Sequence, residues 1–223
     1  MILTLANAID EATHARILER VAQAAFVDGR ETAGRQLADV KRNTQIARND
    51  PLLAQISALV LESLRAHRAF REATYPRHLH SVMVSRYGPG MAYGAHVDNA
   101  LMGDETVWRT DLSLTLFLNA PEDFDGGELC LETGSGEIGF KPPARHMLCY
   151  PTSDLHRVCE VTRGERLVVV GWIQSYVRDN SAREILWDLA QARDQLSAEA
   201  ATRSACERVN KAHTNLLRRW AEP

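Results

Sequence analysis

The chain has 223 residues, 45% of them hydrophobic, and a formal net charge of −3. That length and apolar share can bury one substantial core with sequence to spare. The weak negative charge excludes a broad basic surface, and with it nucleic acid as an expected partner.

Cys130, Cys149, Cys159 and Cys206 form no Cys-x-x-Cys pair and no pattern of a secreted disulfide framework. Inert thiols in a reducing compartment are the expectation. The opening MILTLANAIDEATHARIL lacks a basic segment followed by a long apolar run, so no signal peptide is expected. No run of about 18 apolar residues marks a membrane span, and a cytoplasmic location is expected.

The first zone, residues 1–76, reads as a helical support region. Asp10 is a candidate N-cap; Ile17, Leu18, Val21 and Ala25 follow on one helical stripe. Residues 27–34, VDGRETAG, read as a loop. Leu52, Ile56, Leu59, Val60 and Leu64 then mark a second amphipathic helix, and Pro76 closes the zone.

The second zone, residues 77–177, changes period. LHSVMVSRY, residues 79–87, reads as a strand. DLSLTLFLN alternates, with Leu112, Leu114, Leu116 and Leu118 on one face; Asp111, Ser113, Thr115, Phe117 and Asn119 take the other. GGELCLE, HMLCYP, LHRVCEV and RLVVVGWIQ supply further short strands, punctuated by Gly and Pro turns. This pattern predicts an all-β sandwich or barrel, and no helix-length apolar pattern interrupts it to suggest βαβ winding. The third zone, residues 178–223, is helical again, with stripes at Ile185, Leu189, Ala192 and Leu196 and at Ala205, Val209, Leu216 and Trp220. These helices are expected to pack on the barrel or on a second copy in a homodimer.

Within the second zone, YGAHVDNA delivers His96 and Asp98 two positions apart after flexible glycines. In a strand, such residues reach into the same space. A His-x-Asp alone is common, so a third ligand decides the matter. His14, His67 and His213 read as solvated helix residues, His78 and His80 as a polar strand entry, and His146 as a turn residue. His156 stands apart, where a turn enters a β-branched strand, ten residues before Arg166. Taking Thr162-Arg163-Gly164 as a hairpin loop that ends in a positive-φ glycine places Glu160 opposite Arg166 and His156 opposite Val170. His156, Arg166, Val170 and Trp172 then share a face.

Two imidazoles and a carboxylate on one side of an iron leave three positions open, the arrangement of non-haem Fe(II) oxygenases. Arg166 would supply a forked, permanent cation for the distal carboxylate of 2-oxoglutarate. Inside a barrel that charge is costly without an anionic partner. A salt bridge to Glu160 is the simpler alternative for Arg166 taken alone.

The runs RYGPGMAYGAHVDNA, RTDLSLTLFLNAPEDFDGGELCLE and YPTSDLHRVCEVTRGERLVVVGWIQSYVRD resemble the Fe(II)/2-oxoglutarate-dependent dioxygenases of the prolyl-4-hydroxylase type, and more narrowly the bacterial PKHD-type hydroxylases. The resemblance implies a mainly β (α+β) fold, a double-stranded β-helix (jelly-roll) core between N-terminal helices and a C-terminal helical extension. It implies Fe(II) on His96, Asp98 and His156, and 2-oxoglutarate on Arg166 with Tyr87 in support. Trp172 would wall the pocket. Where some prolyl hydroxylases place a second cosubstrate tyrosine this chain has Phe117, which cannot donate a hydrogen bond; Thr115 is the substitute. Asn99, Arg109 and Asp111 flank the triad as substrate candidates.

The implied reaction couples oxidative decarboxylation of 2-oxoglutarate by O2, giving succinate and CO2, to hydroxylation of an unidentified substrate. The resemblance also implies L-ascorbate as a reductant and suggests a link to iron homeostasis. Two other classes stay open here. A cupin-like enzyme would not need Arg166, and a non-catalytic iron or 2-oxoglutarate sensor would not decarboxylate 2-oxoglutarate.

Overall fold

A computed structural model describes residues 1–32, 39–103, 106–198 and 202–223. The end of the loop read over residues 27–34 lies outside them; its earlier part forms the end of the strand Phe26–Asp28 and a 3-10 turn over Gly29–Thr32.

Two antiparallel sheets face each other across a cavity. The major, eight-stranded sheet runs in the order Leu3–Leu5, Met147–Pro151, Leu112–Phe117, Arg166–Ser175, Met83–Tyr87, Thr44–Ile46 and Phe26–Asp28, with Pro76–Leu79 also on Arg166–Ser175. The minor sheet runs Gly136–Phe140, Leu129–Thr133, His156–Val158, Ala92–His96 and Lys41–Arg42. The zone read as helical therefore also gives strands to both sheets. These segments are only two or three residues long, too short for a period-2 signal.

Strand Leu112–Phe117 is buried throughout because both of its faces are covered. Leu112, Leu114, Leu116 and the following Leu118 pack against helix α1 (Glu11–Gln23) and helix α2 (Pro51–Ala66), through Ile17, Ile56, Val60 and Leu64. Phe117, on the other face, joins Leu148, Tyr150 and Val168 between the sheets. The leucine alternation thus marked the helix-covered face, and Ser113 and Thr115 turn inward. Fully burying one such leucine contributes about 1.5–3 kcal/mol.

The segment read as one strand over residues 79–87 is two, Pro76–Leu79 and Met83–Tyr87. Both pair with the same edge of Arg166–Ser175: Leu79 lies opposite Ile173, and Met83 opposite Val170. Three residues, 80–82, therefore stand against two, 171–172. Such a bulge re-aims side chains, and here it turns His80 and Val82 onto the cavity wall.

Asp10 caps α1 as expected, its Oδ1 accepting from the Thr13 amide at 2.7 Å; Ala25 lies beyond the helix end. Helix α3 (Arg68–Thr74) follows α2, and His67 caps it by accepting from the Phe70 amide at 3.2 Å. His14 Nε2 contacts the Leu118 carbonyl at 2.6 Å. Neither imidazole is merely solvated.

Helices α4 (Asn180–Ser197) and α5 (Arg203–Trp220) pack on their own chain. Ion pairs Arg68–Asp194 (2.6 Å) and Arg193–Glu72 (2.9 Å) join α3 to α4. His213 is buried and its Nε2 lies 2.7 Å from the Tyr75 hydroxyl. The fully buried stripe of α4 is Ala182, Leu186 and Ala190; Ile185 is exposed. A helix covered on two sides buries two stripes, and the sequence pattern picked the partly buried one. On α5 Ala205 is exposed, and His213 takes the place of an apolar residue in the buried stripe. No helix among the described residues is long and apolar enough to cross a membrane.

Candidate active site

His96 ends the strand Ala92–His96, and His156 begins the neighbouring strand His156–Val158. They are direct cross-strand partners with ring centroids 4.2 Å apart. Asp98, just past the strand, closes the group: His96 Nε2 is 3.9 Å from Oδ1 and His156 Nε2 is 3.7 Å from Oδ2. One ligand atom from each residue lies within 4.8 Å of the others. Three such donors on one side of a common point are the donor set of a non-haem Fe(II) site.

The orientation of both rings is set by the backbone. His96 Nδ1 lies 2.8 Å from the Gly94 carbonyl, and His156 Nδ1 lies 2.9 Å from the Asp154 carbonyl. A carbonyl can only accept, so each Nδ1 donates and each Nε2 keeps its lone pair for a ligand. Ser113 Oγ donates to Asp98 Oδ2 at 2.5 Å and fixes the carboxylate. Burial and the neighbouring His156 push the His96 imidazole down to about 4, which holds it neutral, the form that binds metal. Tyr93 stacks on the His96 ring at 3.7 Å.

Arg166 opens its strand opposite Tyr87 and is 1% exposed. Its guanidinium carbon lies 5.1 Å from the Tyr87 ring centroid and 5.2 Å from that of Phe117. Its buried Nε has no hydrogen-bond partner in the protein. Glu160 instead lies 3.9 Å from Arg42. A buried cation between two aromatic faces, with an unused donor, calls for an anion from outside the chain. Tyr150, on the strand next to that of Phe117, lines the same cavity, stands edge-on to His156 at 5.1 Å and is held protonated by burial. It offers a second phenol where the sequence showed only Phe117.

The expected hairpin between His156 and Arg166 does not form. Val161–Gly164 pairs with Phe124–Gly126 instead, and His156 faces His96 and Leu131, not Val170. Gly164 does adopt positive φ (+72°), but as the end of a strand in a separate two-stranded sheet, just before the chain enters the major sheet at Arg166. His156 and Arg166 therefore meet across the cavity.

That cavity is about 1100 Å³ and is lined by His96, Asp98, His156, Arg166, Tyr87 and Thr115, and also by Trp172 and Asn99. Arg109 and Asp111 do not line it. They pair with each other at 2.7 Å, Arg109 reaches Glu222 at 3.2 Å, and Asp111 accepts from the Ser175 amide at 2.8 Å. Sequence reading missed Lys41, Tyr93, Ser113 and Tyr150. Ser113 alone had a usable signal, a polar residue on the inward face of the leucine strand. His78 stacks on Trp108 at 3.9 Å, and His146 sits in a turn as expected. The four cysteines are free thiols; Cys130, on Leu129–Thr133, and Cys159, just past the neighbouring strand His156–Val158, have Sγ atoms 3.2 Å apart.

Residues 82–174 match the 2OG-Fe(II) oxygenase superfamily. The fold agrees. A Pseudomonas putida prolyl-4-hydroxylase superposes with a TM-score of 0.53 at 22% identity, covering 78% of this chain and 92% of that one. A Trichoplax adhaerens prolyl hydroxylase gives 0.56 at 15% identity, covering 77% and 82%. The class is thus a 2-oxoglutarate- and Fe(II)-dependent dioxygenase with a jelly-roll core flanked by helices. Within it, the chain is 41% identical to a PKHD-type hydroxylase of Crocosphaera subtropica and 46% identical to one of Acaryochloris marina, each over 222 residues and the full length of both proteins. The chain belongs to the PKHD-type hydroxylases. The oxygenase reading therefore stands above the cupin-like and sensor alternatives.

Proposed function

We propose that His96, Asp98 and His156 hold the Fe(II) of this hydroxylase. In the same reading Arg166, Tyr87 and Thr115 hold the far carboxylate of 2-oxoglutarate, Tyr150 joins them, and Trp172 walls the site. One observation carries this reading. A converging pair of Nε2 atoms and a carboxylate share a cavity with a buried arginine whose Nε is unpartnered. When bound, iron would activate O2, the oxidant, while 2-oxoglutarate gives up two electrons and takes one oxygen atom as it becomes succinate and CO2, leaving the other oxygen atom for a substrate C–H bond.

The protein's part is positional. The two backbone carbonyls hold the imidazoles in the ligating tautomer. Ser113 steadies the carboxylate. Arg166 offers a fork that fits a carboxylate and is already desolvated, so little reorganisation accompanies binding. Val170 walls the space between the arginine and the triad, and Trp172 stands level with the triad. Arg109 and Asp111, tied to Glu222 and Ser175, are assigned to holding the C-terminal region in place, and Asn99 keeps a substrate-contacting role at the rim.

The test is anaerobic difference absorbance of the Fe(II)-loaded protein on adding 2-oxoglutarate, in wild type and Arg166→Ala. A weak visible charge-transfer band is expected in wild type. In the variant it should need roughly 10- to 100-fold more 2-oxoglutarate, the loss of a charge-assisted hydrogen-bonded pair. Equal affinity in both proteins would remove Arg166 from the cosubstrate site.

A further inference from the structure

The cavity is larger than its cosubstrate. Its volume of about 1100 Å³ is just above the range of roughly 300–1,000 Å³ that holds a whole drug-sized ligand. Strand register orders its contents. Arg166 lies opposite Tyr87 at the deep end; Val170 lies opposite Thr115 and Met83; Trp172 lies opposite Ser113, whose hydroxyl holds Asp98. The triad is therefore level with Trp172, and the cavity continues beyond it to Arg48 and Leu53 beside α2 and to Leu101 and Met102.

Among the described residues, the permanently charged side chains of this outer part, Lys41 and Arg48, are cationic. Lys41 is 4% exposed, and its Nζ lies 5.2 Å from the centroid of Tyr93, the ring stacked on His96. Its ammonium is thus one aromatic ring away from a metal ligand. Arg48 is exposed at the rim. Among the described lining residues the only carboxylate is Asp98, which belongs to the triad. In the same cavity, Trp172 Nε1 and His80 Nε2 are buried with no hydrogen-bond partner in the protein. An indole N–H can only donate, so what it meets must accept.

Building on the hydroxylase reading, we propose that the outer half of the cavity binds a substrate bearing an oxyanion, a carboxylate or a phosphate ester. Lys41 and Arg48 recognise its charge, and Trp172 donates to an acceptor on it. Leu53, Leu101 and Met102 cover its apolar part. An oxyanion is attracted by both cations and accepts from the indole, a neutral amide meets only the indole, and an amine meets like charge.

The test uses Mn(II) in place of iron, saturating 2-oxoglutarate and no turnover, and reads the paramagnetic relaxation of probe protons. The probes are hippurate, its neutral amide hippuramide, phenyl phosphate and benzylamine. Hippurate or phenyl phosphate should titrate roughly tenfold tighter than hippuramide, the worth of one charge-assisted bond, and benzylamine should stay unrelaxed. Whichever anion relaxes more identifies the oxyanion. Lys41→Gln and, separately, Arg48→Gln should erase the preference while the protons of 2-oxoglutarate itself remain relaxed. Arg48 is exposed, so its variant tests the idea even if Lys41→Gln fails to fold. Amide or amine relaxed as strongly as the anions, no probe relaxed, or a preference that survives both substitutions overturns the proposal. Loss of 2-oxoglutarate relaxation in wild type would overturn the cosubstrate reading instead.

Discussion

At the scale of single residues, the site depends on atoms that never touch a ligand. The Gly94 and Asp154 carbonyls choose the tautomers of His96 and His156, and Ser113 chooses the direction of Asp98. Backbone carbonyls cannot be removed by substitution, but Ser113 can. Ser113→Ala leaves a well-buried strand intact and frees the carboxylate to rotate. Its metal affinity should fall about 10- to 100-fold, the usual effect of losing an outer hydrogen bond to a metal ligand. Calorimetric titration with Mn(II), alongside a melting curve, separates this from unfolding; unchanged affinity would show that Asp98 is held by the fold alone. The residue types of the triad and of Arg166 were readable from the chain. Ser113, Tyr150 and Tyr93 were not singled out: Ser113 and Tyr150 gain meaning only when the sheet that carries them faces the one that carries His96, and Tyr93 only when its ring stacks on His96.

At the scale of elements, one connection decides the geometry. The chain must cross from the sheet that carries His156 to the sheet that carries Arg166; it does so through the strand Val161–Gly164, paired with Phe124–Gly126, and turns into the Arg166 strand at Gly164. There φ is +72°, and an added Cβ would sit 2.0 Å from the Asp123 carbonyl oxygen. Both facts oppose any side chain. Gly164→Ala should lower stability by roughly 1–3 kcal/mol, from a strained left-handed residue and a forced backbone shift. Denaturant unfolding measures it, and a change under about 0.5 kcal/mol would mean that the crossover is soft. The glycine signal was legible in the sequence, but its meaning was not. A positive-φ glycine ending a turn serves a hairpin and a sheet-to-sheet crossing equally well, and only the partner strand, Phe124–Gly126, distinguishes them.

At the scale of the whole molecule, burial of neutral imidazoles makes the metal-free protein sensitive to acid. Burial lowers the His96 pKa from 6.5 to about 4 and also lowers those of His78, His80 and His213. Below pH 6.5 the unfolded chain takes up protons that the folded chain refuses, so folding stability falls as pH drops. The His96 share is lost between pH 6.5 and about 4. Melting temperatures of the metal-free protein across that window should decline, and His213→Gln should decline less than wild type. A flat profile would show that these imidazoles protonate as easily folded as unfolded.

The sequence by itself determined the class of chemistry. A His-x-Asp, a distant His and an Arg ten residues on are rare as a set, and alternation with turn punctuation is enough to predict facing β-sheets. Those signals are local, carried by spacing and period. Tertiary structure decided everything that depends on which strand lies beside which. His156 pairs with His96 and not with the arginine strand. A bulge turns His80 onto the cavity wall, His213 is buried under Tyr75, and Lys41 reaches the metal end from a two-residue strand. The physical reason is the same each time. Strand pairing is a long-range choice, fixed by backbone hydrogen bonds and by which faces find cover, and neither is written in the neighbours of a residue along the chain.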